Sequence, residues 1–133
     1  MIEGGCNCGG IRYTIASEPV VVAQCHCRNC QRQSGSAFSV NLMVAADNVV
    51  TTGGLTTYVD HDTKSGNPVY RRFCGICGSP IFSELSESNA MVIVKAGTLD
   101  EPGKFAPSVG VWTSTQWPWV PVPEGMPVFS ENP

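Results

Sequence analysis

The stretch Arg72-Phe73-Cys74-Gly75-Ile76-Cys77-Gly78 decides how this chain folds, because it carries half of a candidate metal site. Its C-x-x-C pair has a distant counterpart in Cys6-Asn7-Cys8. Sulfurs this close in sequence converge readily on one small ion, and zinc takes four ligands in a tetrahedron. Two distant pairs that share an ion close a long loop, which stabilises a small fold. The spacing therefore predicts a structural zinc site formed by Cys6, Cys8, Cys74 and Cys77.

A second group of cysteines lies in the stretch Cys25-His26-Cys27-Arg28-Asn29-Cys30. The total of seven cysteines is odd, which argues against a complete disulfide framework. Three protein ligands with an open fourth position are typical of catalytic zinc. We therefore expect a second zinc held by Cys25, Cys27 and Cys30. Three thiolates give such a zinc site one net negative charge, which favours soft sulfur chemistry over hydrolysis.

Other interpretations of the second group stay open. Two of its cysteines can oxidise to a disulfide without metal, which would make the protein a redox-sensing module. His26 can complete a second closed site, and the protein is then a zinc-stabilised binding module without catalysis. In an extended segment, however, His26 points away from Cys25 and Cys27.

Composition narrows the function classes. The chain has 133 residues, which suits a single domain spanning 1–133, and its net charge is −3. It has no basic run for nucleic acid and no apolar stretch of the ~18 residues that a membrane span needs. The first residues lack the features of a signal peptide, so we expect a cytoplasmic protein with reduced thiols. The oligomeric state is left open.

Short apolar and alternating runs between glycine and proline turns predict a mainly β domain. The expected strands lie at 11–15, 19–23, 38–44, 49–59 with a break at Gly53-Gly54, 69–73, 81–82, 91–94 and 109–112. One short helix is expected from Arg28 to Ser34, ended by Gly35. Recurrent proline makes 117–123 an irregular segment.

Three motifs together resemble one known family. They are GCNCGGIRY at 5–13, CHCRNCQRQSGSAF at 25–38 and RFCGICGSP at 72–80. In this order and spacing they resemble the glutathione-dependent formaldehyde-activating enzyme (GFA) family, also called the centromere protein V family. The resemblance implies a β-tent (Mss4-like) fold with zinc knuckles, and the same two zinc sites. It also implies carbon–sulfur lyase chemistry, in which glutathione and formaldehyde give S-hydroxymethylglutathione, although the family is broad.

Few other side chains are candidates for the chemistry. His26 adjoins the ligands, and His61 is expected to be solvated. Arg28, Arg32 and Gln33 lie beside the cluster in sequence and can bind a carboxylate such as those of glutathione. The simpler interpretation is that these side chains are solvated.

Aromatic residues are the remaining candidates. Trp112, Trp117 and Trp119 can wall a pocket or pack as a lid on the sheet, and Phe38 is expected in the core.

Overall fold

The computed structural model describes residues 1–86 and 88–133. The strands are β1 (Ile2–Gly5), β2 (Arg12–Ile15), β3 (Val21–Cys25), β4 (Ser39–Ala45), β5 (Val49–Thr52), β6 (Leu55–Asp60), β7 (Val69–Cys74), β8 (Pro80–Leu85), β9 (Ser88–Lys95) and β10 (Val109–Val111). Helix α1 spans Arg28–Ser34, and 3₁₀ turns span Ala46–Asn48, Ala96–Thr98, Pro102–Lys104 and Thr113–Thr115. Within the described ranges, no helix has the length and apolar character needed to cross a bilayer.

The strands form two sheets. The smaller sheet has the order β1-β2-β5, and the seven-stranded sheet has the order β10-β3-β4-β9-β8-β7-β6. Neighbouring strands are antiparallel, except that β10 runs parallel to β3. The expectation of a mainly β fold of the β-tent class is confirmed.

The hydrophobic core takes side chains from both sheets. Val22, Leu42, Val94 and Phe82 lie side by side across β3, β4, β9 and β8, and all four are buried. Ile15 of the smaller sheet belongs to the same cluster. Because successive side chains of a strand point to opposite faces, the neighbouring row of the large sheet faces away from this core. That other face carries Ser39, Asn41 and Lys95.

Most expected elements are present close to the expected positions, including the break at Gly53-Gly54. Helix α1 ends as expected at Gly35, whose φ of 65° is left-handed. Strand β1 was missed, because Ile2-Glu3-Gly4-Gly5 has no alternating pattern. Gly4 is needed there, since a Cβ on it would collide with the Tyr13 side chain.

The Gly53-Gly54 turn supplies a matched test of backbone strain. Gly53 has a φ of 98°, and a Cβ there would collide with the carbonyl oxygen of Gly10. Gly54 has open space around the same position. We expect Gly53→Ala to lower the free energy of unfolding by about 3 kcal/mol, and Gly54→Ala to change it by less than about 0.5 kcal/mol. Urea denaturation of both variants measures the difference; equal losses would contradict this account of the turn.

Candidate metal centres

The first candidate centre is the four-cysteine cluster, which consists of Cys6, Cys8, Cys74 and Cys77. All four sulfurs lie within 4.8 Å of one another. The Sγ atoms of Cys6 and Cys8 are 3.5 Å apart, and those of Cys8 and Cys74 are 3.7 Å apart. A zinc–sulfur bond of about 2.3 Å puts tetrahedral sulfurs about 3.8 Å apart. The cluster therefore fits a zinc ion.

Two similar turns present these sulfurs. In the first, the Gly9 N–H donates to the Cys6 carbonyl at 3.1 Å, and in the second the Gly78 N–H donates to the Cys74 carbonyl at 2.8 Å. Gly9 and Gly78 adopt φ of 81° and 79°, which glycine reaches without strain. The Ile11 N–H donates to the Cys6 sulfur at 3.1 Å, which stabilises a thiolate there. Each turn thus resembles the zinc knuckle expected from the sequence.

Ser79 joins the two turns. Its hydroxyl oxygen accepts a hydrogen bond from the Asn7 N–H at 3.0 Å and lies 3.3 Å from the Cys77 sulfur. Because its oxygen accepts from Asn7, the hydroxyl proton is left for Cys77. Hydrogen bonds from Ser79 lower the pKa of the Cys77 thiol to about 5. The Cys77 sulfur is thus prepared to bind a cation.

The second candidate centre is the three-cysteine cluster, which consists of Cys25, Cys27 and Cys30. Its three sulfurs lie within 4.8 Å of one another. Cys25 ends β3, Cys27 is the N-cap of α1, and Cys30 lies in the first turn of that helix. The Cys27 sulfur accepts a hydrogen bond from the Cys30 N–H at 3.2 Å. The strand-to-helix junction therefore positions all three sulfurs, and their separations also suit zinc.

Protons are shared unequally in this cluster. Hydrogen bonds from Cys25 and Cys27 lower the pKa of the Cys30 thiol to about 2. Hydrogen bonds with Cys27 and Cys30, together with burial, raise the pKa of the Cys25 thiol strongly. One stable thiolate is therefore surrounded by thiols, and a bound metal ion has to displace their protons.

His26 lies outside the cluster and is completely buried. Its backbone carbonyl accepts hydrogen bonds from the Gln31 amide and the Thr115 hydroxyl. Burial lowers the pKa of its imidazole, so the ring is neutral at pH 7. The ring packs against Phe38 with centroids 5.3 Å apart. Phe38 itself is only half-buried, so the expectation that it belongs to the core is wrong.

A cavity of about 610 Å³ adjoins the three-cysteine cluster. Of the three cysteines, Cys27 lines the cavity and is half-buried, whereas Cys25 and Cys30 are buried. The charged and aromatic residues that line the cavity include Arg28, Lys64, Arg71, Asp62, Glu131 and Trp112. Cavities of this size hold small organic ligands, and both signs of charge are present.

Gln31 makes four side-chain hydrogen bonds at the site, and no pattern in the sequence predicts this role. Its amide nitrogen donates to the carbonyls of His26 at 2.9 Å and Thr115 at 3.0 Å. Its amide oxygen accepts from Arg28 and, at 3.1 Å, from the indole N–H of Trp117. Gln31 therefore ties α1 to the C-terminal segment and holds the Arg28 guanidinium beside the cavity.

The other predicted candidates are distributed differently. Arg32 and Gln33 line a neighbouring cavity of about 360 Å³, which shares Asn29, Asp62 and Arg71 with the cavity at Cys27. His61 is exposed, as expected, and Trp119 is also exposed. Of the residues proposed to bind a carboxylate, only Arg28 lines the cavity at Cys27.

A mainly β fold with two cysteine clusters whose sulfurs lie close enough to share a metal ion places the chain among small cysteine-rich domains. Within that class, the chain belongs to the glutathione-dependent formaldehyde-activating enzyme family, whose sequence model matches residues 1–115. The family assignment made from the three motifs is therefore confirmed.

Proteins similar to this chain include one curated relative and one solved structure. A Halomonas elongata protein, provisionally named a glutathione-dependent formaldehyde-activating enzyme, is 30% identical over an alignment of 86 residues that covers 62% of this chain. The match covers 55% of that protein, so the chain spans about half the length of this curated relative. The crystal structure of a Rhodobacter sphaeroides protein matches with a TM-score of 0.55 and 17% identity, over 74% of this chain and 87% of the other. The similarity to the Rhodobacter sphaeroides structure supports the fold alone.

Proposed function

We propose that this protein is a zinc-dependent carbon–sulfur lyase-type enzyme that resembles S-(hydroxymethyl)glutathione synthase. It would act on a small thiol–aldehyde adduct at the three-cysteine cluster. The observation that carries the proposal is the position of Cys27, whose half-buried side chain lines a cavity large enough for a tripeptide. The family membership supports glutathione as the thiol.

The two clusters take different roles in this proposal. The four-cysteine cluster is closed and holds a structural zinc, whereas the three-cysteine cluster holds a second zinc with an open position. When bound there, zinc lowers the pKa of a thiol and polarises a carbonyl oxygen. The chain's own contribution is to position the three sulfurs and to exclude water from Cys25 and Cys30, which are 6% exposed.

The charged walls of the cavity suit a peptide thiol. Glutathione carries two carboxylates and one ammonium group at neutral pH. In this proposal Arg28, which donates a hydrogen bond to Gln31, binds a carboxylate, and Asp62 binds the ammonium group; both residues line the cavity. The reaction needs no oxidant, since the thiol S–H adds across the C=O bond. A carbon–sulfur bond forms, and the thiol proton ends on the former carbonyl oxygen.

Cys27→Ser tests the proposal. Loss of one of three ligands is expected to slow the enzyme-catalysed exchange between formaldehyde and S-hydroxymethylglutathione at least about 100-fold, because correctly placed charge stabilisation is lost. Magnetisation-transfer NMR with labelled formaldehyde measures this exchange above the spontaneous rate. Circular dichroism and the zinc remaining at the four-cysteine cluster serve as controls for folding. A folded variant that has lost one zinc but exchanges formaldehyde at the wild-type rate would refute the proposal.

A further inference from the structure

One face of the seven-stranded sheet places a lysine near the three-cysteine cluster. Cys25 of β3 is paired with Ser39 of β4, and Asn41 of β4 is paired with Lys95 of β9. Directly paired residues point to the same side of a sheet, as do residues two apart along a strand. Cys25, Ser39, Asn41 and Lys95 therefore share the face that lies opposite the hydrophobic core.

Lys95 is buried, with 6% of its surface exposed. Its Nζ donates a hydrogen bond to the Asn41 side-chain oxygen at 3.2 Å. The ion pairs found between described residues leave Lys95 without a carboxylate partner. Because a lone buried ammonium group is costly, its charge requires compensation from another source.

The cysteine thiolates can supply that compensation. Burial is the largest influence and leaves the pKa of Lys95 lowered, while the charges of Cys30, Cys25 and Cys27 act in the opposite direction. The positive charge of Arg71 also lowers the pKa of Lys95. Arg71 itself is paired with the Asp60 carboxylate at 2.6 Å.

We propose that Lys95 is the counter-charge of the three-cysteine cluster and stabilises its metal-bound form. This inference rests on the proposed function, in which that cluster holds zinc. A zinc ion with three thiolates carries one net negative charge, and the buried ammonium group makes the assembly neutral. In low-dielectric surroundings such neutralisation is worth far more than in water. Lys95 is thus a positioning residue that acts through the ligands.

Competition for metal measures the effect without any assay of turnover. Wild-type protein is loaded with Co²⁺, whose thiolate absorption bands report binding, and is titrated with a chelator to resolve the two clusters. Lys95→Met and Lys95→Gln are expected to weaken binding at the three-cysteine cluster at least about tenfold, while binding at the four-cysteine cluster stays unchanged. Lys95→Arg keeps the charge and is expected to stay within about threefold of wild type. Lys104→Met is the matched control, because it removes an exposed cation that is paired with Glu101.

Each outcome decides one question. If wild-type protein binds a single Co²⁺ ion, the proposed function fails, whatever Lys95 does. If wild-type protein binds two ions and the neutral variants match it, the role of Lys95 alone is refuted. Equal weakening of both clusters, or equal weakening by Lys95→Arg or Lys104→Met, would also refute it. Should Lys95→Met not fold, Lys95→Gln decides the matter, because it retains a polar group for Asn41.

Discussion

Cys74→Ser is expected to leave the chain unfolded at temperatures where the wild-type protein is stable. Cys74 is 2% exposed, ends β7 and contributes its sulfur to the four-cysteine cluster. Structural zinc contributes about 10 kcal/mol or more to folding, which is comparable with the whole stability of a small domain, about 5–15 kcal/mol. Loss of one ligand is therefore expected to remove most of the free energy of unfolding. Circular dichroism with zinc analysis measures both consequences.

Cys27→Ser is the control for this experiment, because it removes a ligand from the other cluster. We expect that variant to keep its β-sheet spectrum and one zinc. Chelation of the wild-type protein should reproduce the Cys74→Ser result, and added zinc should reverse it. A Cys74→Ser protein with the wild-type melting temperature would show that the four-cysteine cluster does not hold the fold together.

Asp60→Asn is expected to lower the free energy of unfolding by about 3 kcal/mol. Asp60 accepts a hydrogen bond from the Arg71 Nε at 2.6 Å, and the two side chains are only 7% and 10% exposed. Removing the carboxylate charge leaves a buried guanidinium uncompensated, which typically costs about 3–5 kcal/mol. Arg71 also donates to Gln33 of α1 at 3.2 Å, so the helix that carries Cys30 is loosened as well. Urea denaturation measures the loss.

Asp100→Asn is the matched control for the buried pair. Asp100 pairs with Arg12, but their side chains are 44% and 48% exposed. Solvent screening limits such a pair to about 1 kcal/mol or less. If the two substitutions cost the same, burial is not what makes the Asp60–Arg71 pair important.

The two cysteine groups were predictable from the sequence, but only the three-cysteine group is encoded locally. C-x-C and C-x-x-C spacing brings sulfurs together within each pair, whereas the meeting of Cys6 and Cys8 with Cys74 and Cys77 followed from dividing seven cysteines into four and three. Helix α1 was predictable for a similar reason, since Gly35 ends it by adopting a left-handed conformation. Alternation and the Gly53-Gly54 break likewise located β5 and β6.

The surroundings of the clusters were not predictable, because they depend on strand register. Lys95 follows an apolar run, and only the pairing of β9 with β4 puts it on the face that carries Cys25. The contacts of Gln31 require the C-terminal segment to fold back over α1. The cavity combines α1 with residues near 64 and 131, which no local pattern connects.

That fold-back has a spectroscopic consequence. The chain contains three tryptophans, at positions 112, 117 and 119, and all lie in the segment that packs on α1. Trp112 lines the cavity, and the Trp117 indole is hydrogen-bonded to Gln31, with Trp119 centred 5.5 Å from it. Trp112 and Trp117 therefore place indole fluorescence beside the three-cysteine cluster, whereas Trp119 is largely exposed. With Trp112 in its wall, the cavity carries its own optical reporter.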